Sequence, residues 1–156
     1  MAWWSKLGQG IKVDRAEAAL PQGGGGSTLN LFDIVGGRVL LTSIIGEVGT
    51  VAIGAGANAS KLKLDADTGT DRDICADLDI DAYGIGNLLG ITGLNTDPMI
   101  PPAVAGSIEG QTVPVVLKAG ALALECDGGA ILGKIKWTMH YIPIDDGAYV
   151  TPVAIP

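Results

Sequence analysis

The chain has 156 residues, a formal net charge of −7 and a pI of about 4.4. A chain this acidic is a poor candidate for binding nucleic acid, because the phosphates of the nucleic acid repel it. Hydrophobic residues make up 47% of the chain and charged residues 17%, which excludes a chain that is disordered throughout. The length suits one domain, or one domain preceded by an arm.

The N-terminal segment differs in composition from the rest of the chain. It begins with the adjacent Trp3 and Trp4 and ends in four consecutive glycines at 23–26, which cannot hold a regular element without a large entropic cost. We therefore predict a flexible N-terminal arm and glycine-rich joint at 1–27 and a β-rich body at 28–156. Tryptophans near a mobile end are good anchors, so an arm that docks on a partner is expected to contact it through Trp3, Trp4, Leu7, Lys12 and Arg15. The alternative is an arm that folds back on its own body.

The body begins with apolar, β-branched runs that are separated by glycines. Strands are expected at 29–35 and 38–45, and the glycine pair between them predicts a hairpin. A third strand is expected at 50–53. Residues 60–65 alternate polar and apolar side chains, which is typical of a half-buried strand.

Residues 65–81 form an acidic stretch with seven aspartates and a single arginine. One short helical turn is expected within 71–81. Carboxylate oxygens suit divalent cations, but no EF-hand loop in this stretch has the closing glutamate. Two interpretations remain: a solvated acidic loop that keeps the protein soluble, or a weak, irregular divalent-cation site formed by Asp65, Asp67, Asp71 and Asp73.

The C-terminal half continues the pattern of short strands. Strands are expected at 88–93, 113–117 and 121–126, and Asp-Gly-Gly at 127–129 predicts a hairpin turn into the longest strand, at 131–142. Alternation on that strand places two sets of side chains on opposite faces. One set is Ile135, Trp137, Met139 and Tyr141, and the other is Lys134, Lys136, Thr138 and His140.

Seven to nine short strands, little helix and many glycine turns predict a mainly β fold. The expected architecture is an antiparallel β-sandwich or barrel with a flexible N-terminal arm. No apolar run is long enough for a transmembrane helix, so no membrane partner is expected.

The motifs of common enzymes are not met by this chain. His140 is the only histidine, so neither a catalytic triad nor a four-ligand zinc site is expected. The glycine-rich run at 54–59 matches a loose dinucleotide fingerprint, but the alternation after it predicts a strand where that site requires a helix. Cys75 and Cys126 are expected to be free thiols in a reducing compartment. We therefore expect no enzymatic activity, no cofactor and no nucleic-acid partner.

Two stretches resemble small structural proteins of tailed bacteriophages, the capsid decoration or cement proteins. They are LFDIVGGRVLLTSIIGEVGTVAIGAGANASKLKL at 31–64 and KIKWTMHYIPIDDGAYV at 134–150. The resemblance covers about residues 28–150 and is one of pattern. Its main points are Leu31-Phe32 before a glycine, the β-rich run that ends in Gly46-Glu47-Val48, and Lys136-Trp137-Thr138 leading to Tyr141-Ile142-Pro143.

The resemblance implies a β-rich subunit, usually a homotrimer, on the outer capsid surface of the virion. Such a subunit binds the major capsid protein and stabilises contacts between capsid subunits, and it is assembled in the host cytoplasm. Two other functions stay open from the residues alone. One is a structural component of a phage tail or fibre, and the other is a β-sandwich module that binds a ligand.

Overall fold

The computed structural model describes residues 10–22, 25–56, 58–100, 106–128 and 131–156. These residues contain eleven β-strands and, within the same ranges, no helix. The strands are β1 (Ile11–Ala19), β2 (Ser27–Val35), β3 (Val39–Val48), β4 (Ala59–Ala66), β5 (Arg72–Asp73), β6 (Leu78–Asp79), β7 (Leu88–Gly90), β8 (Val115–Leu117), β9 (Gly120–Asp127), β10 (Lys134–Pro143) and β11 (Tyr149–Pro152).

The strands form two antiparallel sheets that pack on one hydrophobic core. Sheet I has the order β1-β10-β3, and both β7 and β8 pair with the far edge of β3. Sheet II has the order β11-β2-β9-β4, and β5 and β6 pair with β4. Buried side chains from both sheets belong to one continuous cluster. The predicted antiparallel β-sandwich is therefore confirmed.

The central strand β10 presents its large apolar side chains to this core. Ile135, Trp137, Met139 and Tyr141 are each at most 4% exposed, as the alternation predicts. The indole of Trp137 lies against Gly46 of β3, where an added Cβ would come within 2.8 Å of the ring. Gly46 therefore lies inside β3 and makes room for the indole, and it does not end the strand as a turn.

The N-terminal boundary of the body differs from the sequence expectation. Strand β1 lies within the segment expected to be an arm, and it pairs with β10 from Ile11–Tyr141 to Ala19–Lys134. The next residue, Leu20, is buried, and its amide donates to the carbonyl of Gly133 at 3.1 Å. The body thus includes β1 and does not begin at Thr28. Residues 1–9 and 23–24 lie outside the described residues.

The two hairpins predicted from glycine pairs are connections between the sheets. Strand β2 belongs to sheet II and β3 to sheet I, so the glycines at 36–37 carry the chain from one sheet to the other. Strands β9 and β10 are related in the same way. Arg38 fixes the first crossing, because its guanidinium donates to both carboxylate oxygens of Asp145, at 2.9 and 2.7 Å.

Two further local predictions are wrong. Residues 50–53 form no strand, and Ile53 is instead tied to the loop at Tyr83 by a backbone hydrogen bond of 2.9 Å. The helical turn expected within 71–81 is replaced by the two short strands β5 and β6. Both pair with β4, whose free edge offers backbone partners that a single helical turn cannot match.

Candidate functional site

The five residues expected to contact a partner differ in their position and exposure. Trp3, Trp4 and Leu7 lie outside the described residues. Lys12 is exposed on the outer face of β1 and forms an ion pair with Asp14 at 3.0 Å. Arg15 is only 2% exposed, so it does not form part of a docking surface. The reason is the strand alternation of β1, which turns every second side chain towards the core.

Arg15 is the one charged side chain that the described residues place in the core. It lies directly across from Trp137 in the pairing of β1 with β10. All three guanidinium nitrogens of Arg15 are buried and have no hydrogen-bond partner. Burial lowers the pKa of Arg15 below its ordinary value, because an apolar environment disfavours the charged form. A charge in this position destabilises the fold.

The four aspartates of the expected cation site are used separately. Asp65 and Asp67 are exposed. Asp71 accepts the amide of Ala66 at 3.3 Å, and Asp73 forms an ion pair with Lys61 at 3.1 Å. In the described part of the chain, no three histidine, cysteine or carboxylate side chains are placed to hold one metal ion. The arrangement favours the solvated acidic loop.

The outer face of sheet II carries a group of ion pairs, and its β11–β2 edge carries the exposed apolar pair Val35 and Tyr149. Lys61 forms ion pairs with Asp73 at 3.1 Å and with Glu125 at 3.4 Å, and Lys63 lies 3.6 Å from Glu125. The hydrogen bond with Asp73 is the main cause that raises the pKa of Lys61. Each of these two lysines therefore lies over a carboxylate of the same sheet, and this part of the face suits contact with water.

The outer face of sheet I also carries an ion pair, Lys136–Glu47 at 3.3 Å, and at one end of its strands an apolar row of three residues. Leu40 of β3 pairs with Ile142 of β10 on one side and with Val116 of β8 on the other. Ile142 is 36% exposed and Val116 is 54% exposed, while Leu40 between them is half-buried. Paired residues point to the same face, and three strands span roughly 10 Å. Adjoining exposed apolar groups make this row a candidate interaction surface.

Sequence reasoning missed this apolar row for an identifiable reason. Leu40 and Ile142 are separated by about a hundred positions, and Val116 lies on a strand of only three residues. Each is unremarkable in its own segment. The row exists only because β8 and β10 pair with the same end of β3, and a pairing register is not visible in a single sequence.

The cysteines and the histidine lie in positions that lower their chemical reactivity. Cys75 and Cys126 are both buried and free. Burial raises the pKa of the Cys75 thiol to about 11, so the nucleophilic thiolate is scarce at neutral pH. Burial also lowers the pKa of His140, and the neighbouring charge of Lys12 adds to this effect. The imidazole of His140 therefore favours its neutral form.

The chain matches no family model, no curated protein and no solved structure. The described residues contain no helix that is long and apolar enough to cross a membrane.

Proposed function

We propose that the protein is a capsid decoration protein of a tailed bacteriophage. In this role it binds the outer surface of the head and stabilises contacts between subunits of the major capsid protein. The resemblance at 31–64 and 134–150 supports the family. The observation that carries the role is the exposed apolar row on the outer face of sheet I, which crosses three neighbouring strands.

A subunit that sits on a protein shell needs a surface for the shell and a surface for water. The face against the shell, or against a sister subunit, loses its water on binding, and the apolar row Ile142–Leu40–Val116 is suited to that. The opposite face stays in water, and the ion pairs of sheet II are suited to that. The role is structural, and it requires no cofactor.

The proposed oligomer is a homotrimer in the virion. Three copies would present three apolar rows to the shell, so that weak single contacts combine by multivalency. The net charge of −7 also suits assembly beside packaged DNA, because an acidic subunit is not captured by the nucleic acid. Sedimentation equilibrium tests the oligomer directly, and we expect a mass near three times 15.8 kDa.

The function is tested by co-sedimentation with expanded heads assembled from the major capsid protein of the same phage. We expect the wild-type protein to sediment with the heads, and Val116→Lys to weaken that binding at least tenfold. Leu132→Lys is the matched control, because Leu132 is 74% exposed but lies off the row. Failure of the wild-type protein to bind the heads, or equal binding of all three proteins, would contradict the proposal.

A further inference from the structure

The start of β1 and the apolar row lie on one line across sheet I. Ile11 pairs with Tyr141, so Gly10 comes next to Ile142, the first residue of the row. A Cβ added to Gly10 would lie 2.9 Å from the side chain of Ile142. Leu40 and Val116 follow in register on the next two strands. The segment before Gly10 therefore joins the described chain beside the end of the row.

Gly10 has a backbone conformation at this point that favours glycine. Its φ is +88°, in the left-handed region where a side chain is strained. An added Cβ at Gly10 would also collide with the backbone carbonyl of Tyr141. Only glycine therefore allows this close approach to β10 in this backbone conformation.

The segment before Gly10 has the composition of a ligand for an apolar surface. Residues 1–9 are MAWWSKLGQ, with two tryptophans, one leucine, one lysine and no acidic residue. Nine residues can extend to roughly 30 Å, whereas the row spans only roughly 10 Å. The segment is thus long enough to cross all three strands and to place an indole over the row.

We propose that residues 1–9 cover the apolar row of their own chain. Trp3 and Trp4 pack over Ile142, Leu40 and Val116, and the position of Gly10 beside Ile142 brings the start of the segment next to the row. The contact concerns the free subunit, so it does not depend on the proposed capsid function. If that function holds, the segment and the row together form the face that meets the shell.

Tryptophan fluorescence tests the contact without a capsid. The chain has three tryptophans, so in Trp137→Phe the emission comes from Trp3 and Trp4 alone. We expect blue-shifted emission that is protected from acrylamide and unchanged on dilution. Adding Val116→Lys should shift the emission to that of tryptophan in water, and adding Leu132→Lys should not. Solvent-like emission in Trp137→Phe would overturn the proposal, and so would a red shift on dilution, which would place the segment on a second copy.

A second measurement uses the wild-type core, in case Trp137→Phe does not fold. Lys6 is the only tryptic site within residues 1–9. We expect cleavage after Lys6, followed by mass spectrometry, to be at least tenfold slower in the wild-type protein than in Val116→Lys. Equal rates would refute the contact. Because neither measurement includes the heads, a failure here is distinct from a failure of the co-sedimentation test.

Discussion

The neighbouring strands β1 and β10 share one backbone ladder but differ in what they bring to the core. β10 places large apolar side chains at every inward position, whereas β1 places an arginine at the central one. Arg15 and Trp137 lie directly across from each other, at 2% and 1% exposure. The difference shows that two strands of one sheet can be stabilised by different means, β10 by burial and β1 by its pairing.

The outward side chains of β1 explain how it is held. Asp14 accepts a hydrogen bond from the hydroxyl of Thr138 at 2.7 Å. Glu17 accepts the amide and the hydroxyl of Thr50, at 2.7 and 2.6 Å, and these bonds lower the pKa of the Glu17 carboxyl. Polar contacts to β10 and to the loop after β3 thus fix a strand whose inner face contributes little apolar burial.

The largest effect is expected on the β10 side of this comparison. Trp137→Ala should lower the free energy of unfolding by about 3–5 kcal/mol, because it removes a buried indole and leaves a cavity. Thr138→Ala, one position along on the outer face, should cost far less, since only the contact with Asp14 is lost. Urea denaturation of the two variants measures the difference. Equal losses would mean that the burial of β10 is not what stabilises sheet I.

On the β1 side, urea denaturation should show a gain in the free energy of unfolding, where Trp137→Ala shows a loss. Arg15→Met keeps a long side chain and removes the buried charge, so we expect the free energy of unfolding to rise by about 1–4 kcal/mol. Lys12→Met, on the outer face of β1, should stay within about 0.5 kcal/mol of wild type. A clear loss of stability in Arg15→Met would show that the guanidinium has a partner in solution, and the comparison would then fail.

The same two strands show how far the sequence can be interpreted. β10 was predictable because its inner residues are all large and apolar, and the alternation is unbroken from Ile135 to Tyr141. β1 was not predictable, because Arg15 and Ala18 stand at its inward positions and a bulge between them interrupts the alternation. The fold class survives such an error, since it depends on the number of strands and not on any one of them.

The candidate site was less predictable than the fold. The tryptophans at the chain start and the acidic stretch are local features, and both are visible in the sequence. The row formed by Leu40, Val116 and Ile142 is not, because it depends on which strands become neighbours. The glycine pair at 36–37 led to the wrong prediction of a hairpin for the same reason. A turn signal locates a change of direction, but it does not tell whether the next strand joins the same sheet.

The smallest effect lies on the outer face of the same two strands, where Lys12 pairs with His140. Burial is the main cause that lowers the pKa of His140, Lys12 lowers it further, and Asp14 opposes them. Lys12→Gln should therefore raise this pKa, which the single histidine allows NMR titration to follow without overlap.

The effect on stability follows from linkage between protonation and unfolding. A pKa of His140 that is lower in the folded state than the ordinary value of about 6.5 means that the unfolded chain binds the proton more tightly. The contribution of His140 to stability is then fully present above that pH and is lost as the pH falls below it. Lys12→Gln should make this loss smaller. An unchanged pKa in Lys12→Gln would show that Lys12 is turned away from the imidazole and towards Asp14 alone, so that β1 and β10 would be coupled on this face only through Asp14 and Thr138.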